Sequence, residues 1–284
     1  MTIWENITYK IKYAQSKLFL IIGINVAVFL AINIPGTFEF WFLKSEHIQT
    51  FTAEYLYLPS NLGILTKRFW TPLTYMFMHA DVFHIFFNML WLYWMGQIFE
   101  EYLGTKRTIG LYIMGGLAGA LLFVLALNTV PAFKVDNGTV VGASAGVMAI
   151  IIATATLLPN YTISLLLLGP VKLKWLAIFY VVVDFLSTKY GNAGGSIAHL
   201  GGALLGFIYI KRLQRGSDWV GSVNNLFKPK PKMRVVSKNP EKSTSSYPAQ
   251  DEIDRILDKI SQTGYDNLTR QEKEVLFRAS KDER

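Results

Sequence analysis

Between Thr108 and Val130 the chain runs 23 residues without a formal charge. A helix needs roughly 20 such residues to cross a bilayer core, and in hydrocarbon only helices and closed barrels pair every backbone amide. A barrel strand would alternate apolar and polar residues; this run does not. Composition extends the point to the whole chain, which is 51% hydrophobic and only 17% charged, against roughly 25% charged in a soluble domain. Residues 18–213 carry eleven basic and eight acidic side chains, whereas 214–284 carry fourteen and eleven. The basic excess thus sits in tails beside apolar segments, not on the face of a soluble fold, which argues against nucleic acid as a partner. With no cysteine in the sequence, disulfides, thiolate nucleophiles and Cys-containing zinc sites are excluded. Imidazole chemistry must come from His47, His79, His84 or His199.

Six apolar stretches stand out: Leu18–Ile34 before Pro35-Gly36, Val82–Phe99, Thr108–Val130, Gly142–Leu158, Leu173–Ser187 and Ser196–Ile210. The first is longer than a signal-peptide core and has no small-x-small cleavage site after it, so it reads as a retained anchor. Tyr161–Leu168 is too short to span and reads as an interfacial turn. The last three spans are short, which predicts helices starting below the membrane surface and a water-accessible dip. Lys and Arg near span ends set orientation. With the N-terminus inside, ten of them, including Lys17, Lys106, Arg107, Lys172, Lys211, Arg212 and Arg215, are cytoplasmic, and five (Lys44, Lys67, Arg68, Lys134, Lys189) face out.

The fold expected is therefore all-α, a polytopic membrane bundle of six transmembrane helices with both termini cytoplasmic. Residues 1–17 form a cytoplasmic segment, 18–213 the membrane domain, 214–249 a basic, Pro-rich disordered linker, and 250–284 a small helical hairpin. In that hairpin Ile253, Ile256, Leu257 and Ile260 recur at helical spacing, and Thr269 with Glu272 has the spacing of a capping box. The long first loop, Pro35–Asp81, carries Trp41, Phe42, Phe51, Tyr55 and Tyr57 and is expected to lie partly in the membrane interface.

Three polar clusters interrupt the spans: His79-x4-His84-x3-Asn88, Gly142-Ala-Ser144-Ala-Gly146, and Ala198-His199-Leu-Gly201-Gly202-x3-Gly206. Each opens a helix that runs from outside to inside, so all three fall at one depth on one side. Hydrophobicity and Lys/Arg alone fixed that topology, which makes the convergence informative. Gly-x-Ser-x-Gly matches the nucleophile elbow of soluble hydrolases, but an elbow needs a strand before it, and Val140-Val141 is a poor one. A lone membrane serine is commonly packing glue. At a helix start, however, Ser144 has unpaired N–H groups and the positive dipole end beside it, which suit a developing oxyanion. Gly202 and Gly206 permit close backbone approach, and Ala145, Ala149 and Ala153 offer a matching small face; packing the two brings His199 near Ser144, the minimum for an activated nucleophile. His84 and Asn88 share a face at i, i+4 and can donate to an oxyanion, or simply satisfy each other. A metal site from His79, His84 and His199 lacks acidic ligands and an HExxH pattern. Inverted repeats of a small-solute transporter are not apparent.

These three motifs, in this order and spacing, resemble the rhomboid intramembrane serine proteases over residues 18–213. The resemblance implies Ser144 as nucleophile, His199 as general base, and His84, Asn88 and the Ser144 backbone N–H as the oxyanion hole. It also implies no cofactor and no metal, membrane lipids and transmembrane protein substrates as partners, and cleavage near the extracytoplasmic face. The tail resembles the C-terminal extension of bacterial rhomboids of the Bacteroidetes type, which implies residence in a bacterial inner membrane. The alternative of the same fold is a catalytically silent, client-binding rhomboid-like protein. Three positions depart from the family pattern: Ala145 stands where Gly usually follows the serine, Met148 where an aromatic residue often stacks on the base, and Thr71 where Arg usually follows Trp70. Asp184, near the outer end of the fifth span, is expected to be a snorkelling or loop-anchoring carboxylate, because the family works with a Ser-His dyad.

Overall fold

The computed structural model describes residues 17–135, 137–165, 169–189, 192–221 and 250–280. The chain divides into two units, Met1–Lys228 and Pro229–Arg284. In the first, α1 (Leu18–Leu43), α5 (Val82–Leu103), α6 (Thr105–Thr129) and α9 (Ala193–Leu213) are by length and composition able to cross a membrane. Between them lie α2 (His47–Tyr55), β1 (Leu58–Pro59), α3 (Leu62–Lys67), α4 (Thr71–Thr74) and β2 (Thr139–Val140). The apolar α7 (Ser144–Leu157) has 14 residues and α8 (Leu173–Ser187) has 15. The protein is a predominantly helical membrane bundle.

The sequence reading stopped α1 at Ile34, yet the helix continues through Pro35 to Leu43. Proline removes one i→i−4 bond, but where no water competes for the backbone, the remaining bonds and nearby side chains hold a helix together. Here Asn33 Nδ2 donates to the carbonyl of Phe29 and Thr37 Oγ1 to that of Asn33, so side chains reinforce the helix on both sides of the proline.

The centre of the bundle is α7, which buries every residue from Ala145 to Ala155. A helix apolar all round belongs in the middle, and α6 and α9 close on it through small residues. A Cβ on Gly202 would collide with the carbonyl of Ala145, and one on Gly206 with that of Ala149. Gly115 and Gly119 of α6 seat the methyl groups of Ala149 and Ala145. The two small faces anticipated from the sequence do meet, backbone against backbone. Large apolar side chains point outward instead: Phe19 and Trp41 on α1, Phe86 on α5, Trp175, Phe179 and Phe185 on α8.

Tyr161–Leu168, expected as a simple interfacial turn, contributes a strand. β3 (Thr162–Leu165) pairs antiparallel with β4 (Gly169–Lys172), in register Thr162↔Lys172 and Leu165↔Gly169. A hairpin pairs backbone groups that a turn in an apolar setting would leave exposed.

In the second unit, α10 (Gln250–Thr263) is followed by Gly264 at φ 83° and then α11 (Arg270–Ser280). The glycine supplies the left-handed residue that ends a helix without a Cβ penalty. The capping box forms as the spacing predicts: Glu272 Oε2 accepts from the Thr269 N–H at 2.7 Å, and the Glu272 N–H reaches Thr269 Oγ1 at 3.3 Å. Lys259 adds an ion pair to Glu272 at 2.8 Å. The expected linker falls mostly on residues 222–249, and the expected N-terminal segment on 1–16; both lie outside the described residues.

Candidate active site

Ser144 is the first residue of α7, and what precedes it is short and fixed. β2 pairs with β1 through Leu58↔Val140 and Pro59↔Thr139. The Ser60 N–H donates to the carbonyl of Gly138 at 2.8 Å, and Asn128 Nδ2 donates to that of Ser60 at 2.8 Å. Gly142 follows at φ 128°, a conformation that side chains rarely adopt. Its N–H donates to the carbonyl of Tyr75 at 3.0 Å. Strand, glycine turn and helix thus follow one another after all, with only two residues of strand. Tyr75 is bracketed from its other end, because its hydroxyl donates to the carbonyl of Gly116 on α6 at 2.6 Å.

The first intrahelical bond of α7 is Val147 N–H to the Ala143 carbonyl. The N–H groups of Ser144, Ala145 and Gly146 therefore have no intrahelical acceptor, and they lie at the positive end of the helix dipole. A Cβ added to Gly142 would sit 2.8 Å from His84 Nε2 and 3.2 Å from Ser144 Oγ. The missing side chain at Gly142 thus leaves room beside both the imidazole and the hydroxyl, room that any larger residue would fill.

His84 and Asn88 stand on the first turns of α5, whose N-cap is Asp81, with Oδ1 accepting from the His84 N–H at 2.9 Å. The Ala80 N–H donates to His84 Nδ1 at 3.3 Å, which leaves the ring proton on Nε2, the nitrogen beside Gly142. Asn88 Nδ2 donates one hydrogen to the His84 carbonyl at 2.8 Å and has a second to offer. Asn88, Ser144 and His199 line one cavity of 510 Å³, with Trp91, Met148 and Tyr180 among its walls. His199, on the second turn of α9, has Nδ1 2.9 Å from Asp184 Oδ1.

Ser144, His199, His84 and Asn88 are thereby brought together from α5, α7 and α9. His79 is buried beside His84, ring centroids 5.2 Å apart. His47 is elsewhere, bonded to Glu39. Among the described residues no group of three His, Asp or Glu side chains could hold a metal.

Asp184 overturns one expectation. It neither snorkels nor anchors a loop through its side chain; it is buried against His199. Position along the span suggested an exit toward solvent, but the face of α8 that carries residue 184 turns inward. The signal was present: Asp184 is the only acidic residue in the apolar run Leu173–Ser187, and a carboxylate at that depth needs a partner.

The departures from the family pattern have structural seats. The Ala145 methyl fits against Gly119 of α6. Thr71 is buried, with its hydroxyl on the Arg68 carbonyl at 2.8 Å. Arg68, three residues earlier, pairs with Glu54 at 2.6 Å and covers the Tyr55 ring at 4.6 Å, while Trp70 Nε1 donates to the Tyr55 carbonyl at 2.8 Å.

Fold and site together define a helical membrane protein whose polar centre is built from the N-terminal turns of helices that meet at one cavity. The chain belongs to the rhomboid family: the rhomboid domain matches residues 66–215. RHOMBOID-like protein 12, mitochondrial, of Arabidopsis thaliana is 30% identical over 68% of this chain and 59% of its own. Rhomboid protein 1, mitochondrial, of Saccharomyces cerevisiae is 26% identical over 71% of this chain and 54% of its own. Inactive RHOMBOID-like protein 8 of Arabidopsis thaliana is 29% identical over 45% and 36%. The chain spans little more than half the length of the first two relatives. Residues 244–282 match a family of unknown function (DUF6576).

Proposed function

We propose that this protein is an intramembrane serine endopeptidase that cleaves transmembrane proteins near the extracytoplasmic face. The observation that carries the reading is that Ser144 Oγ and His84 Nε2 lie 3.2 Å and 2.8 Å from one point, the place a Cβ on Gly142 would take, at the N-terminal end of α7. In the mechanism this supports, His199 Nε2 takes the Ser144 proton as Oγ attacks the scissile carbonyl. The tetrahedral oxyanion accepts hydrogen bonds from His84 Nε2–H, the Asn88 amide and the Ser144 backbone N–H. His199 then passes the proton to the leaving amine, and water, deprotonated by the same imidazole, hydrolyses the acyl-enzyme. All the groups required are side chains and backbone of this chain.

In this reading α7 and α8 cross with the four longer helices, both termini are cytoplasmic, and the membrane is a bacterial inner membrane. The reading is tested by labelling with a fluorophosphonate probe, which should phosphonylate the native chain with loss of fluoride and leave Ser144→Ala unlabelled. The second reading, a silent client-binding relative, draws on the similarity to a protein named as inactive; it predicts no label on either chain.

A further inference from the structure

Resting on that reading, we infer that Asp184 is a positioning residue for His199, so that the site works as a Ser144–His199–Asp184 triad in which the carboxylate orients the imidazole. Asp184 Oδ1 lies 2.9 Å from His199 Nδ1, on the far side of the imidazole from the nitrogen the mechanism uses. Asp184 lines the same cavity as Ser144 and His199 and is 8% exposed. Among the described residues its other oxygen, Oδ2, has no hydrogen-bond partner, so the side chain makes one bond, and that bond is to the imidazole.

The cost of this placement argues for a role. A carboxylate in the middle of Val181–Leu186 sits where polar groups are expensive to bury. Fastening α8 to α9 would be achieved more cheaply by apolar packing. What a carboxylate at Nδ1 supplies is tautomer choice. By accepting the Nδ1–H it leaves the lone pair on Nε2, where it can receive the Ser144 proton, and it stabilises the imidazolium that results; the carboxylate itself takes no proton. The two histidines of the site are then set to opposite tasks by their second nitrogens. At His84 a backbone N–H occupies Nδ1, so Nε2 donates; at His199 a carboxylate occupies Nδ1, so Nε2 accepts.

The test uses the full chain in detergent, with kinetics and spectroscopy together. Asp184→Asn preserves shape and removes the charge. Its turnover of a transmembrane substrate should fall by about 10²- to 10⁴-fold, with KM within a factor of about two. Asp184→Glu should recover part of the loss, because a carboxylate is again available. Imidazole ¹⁵N spectra of the Ser144→Ala chain, simple to assign with four histidines, should show neutral His199 as the Nδ1–H tautomer, and adding Asp184→Asn should convert it to a mixture. Wild-type turnover in Asp184→Asn, or an unchanged His199 tautomer, overturns the inference. A loss of turnover that merely follows a loss of folded protein, with no tautomer change, does so as well. If the native chain neither cleaves nor labels while the tautomer still depends on Asp184, the positioning assignment stands and the protease reading fails.

Discussion

Replacing Gly202 by alanine tests whether the bundle positions its site through backbone contact. The added Cβ would meet the carbonyl oxygen and carbon of Ala145, backbone atoms that cannot swing aside. Restoring an ordinary contact requires α7 and α9 to separate by about 1 Å, and a misplacement of that size can cost on the order of 10² in rate. Overpacking of this kind destabilises by about 1–3 kcal/mol. Gly202→Ala should therefore lower the thermal midpoint in detergent and slow both fluorophosphonate labelling and substrate cleavage about 100-fold. Gly23→Ala, on α1 with nothing within 4 Å of the new methyl, is the matched control and should match or exceed the native midpoint. A second change, Ala145→Gly, should not rescue Gly202→Ala, because the collision is with the carbonyl and not the methyl. A Gly202→Ala chain with native midpoint and native labelling rate, or full rescue by Ala145→Gly, would refute the argument.

Asn88→Ala and His84→Ala should each retain about 10⁻² to 10⁻³ of the native turnover, the cost of one oxyanion donor, while Ser144→Ala and His199→Ala fall below detection in single-turnover assays. Reporters fused after Arg107 and Arg215 should score cytoplasmic and one after Asn137 external; an external score at Arg215 removes the six-span topology. The Glu272 carboxyl is held down to about 2 by hydrogen bonds from Lys259 and from the N–H and hydroxyl of Thr269. Its folded-state value lies below its unfolded one, so its contribution is complete above about pH 4.5 and is lost as pH falls toward 2. Amide exchange at Glu272 and Lys273 in the intact chain should be slow at pH 5 and accelerate, beyond the intrinsic pH effect, at pH 3; protection that is pH-independent after that correction counts against the capping box.

Period and hydrophobicity miss α2, α3 and α4, which lie in the stretch read as a loop, but are enough to locate the six apolar helices of the membrane unit, because in lipid the backbone has little choice but to pair with itself. Their ends were less legible. Pro35 looks like a stop in water but leaves α1 intact, and residues 162–165 and 169–172 pair as strands where apolar runs with no alternation give no strand signal. For the site, the spacings His84-x3-Asn88, Gly142-x-Ser144-x-Gly146 and His199-x2-Gly202-x3-Gly206 place four side chains on helix starts, and small residues on α6, α7 and α9 explain how those starts converge. What the spacing does not encode is the rotation of α8. Its exposed apolar residues and its single acid are all compatible with several rotations until neighbours are fixed, so the sequence does not place Asp184 against His199. The role of Tyr75 was hidden for a similar reason: its carbonyl and hydroxyl act on residues 67 and 41 positions away, Gly142 and Gly116.

The glycine-to-carbonyl seams between α6, α7 and α9 have a consequence for compressibility. Hydrostatic pressure unfolds proteins by eliminating internal voids, and helices in direct backbone contact have almost none to give up. A cavity of 510 Å³, lined by Trp91 and Tyr180 among others, lies instead beside the candidate site. Pressure should therefore distort the chemistry before the scaffold, with Trp91 emission shifting at pressures that leave Trp219, packed on Tyr209 at 5.6 Å, unchanged. The part of the molecule that water must enter is also the part that yields.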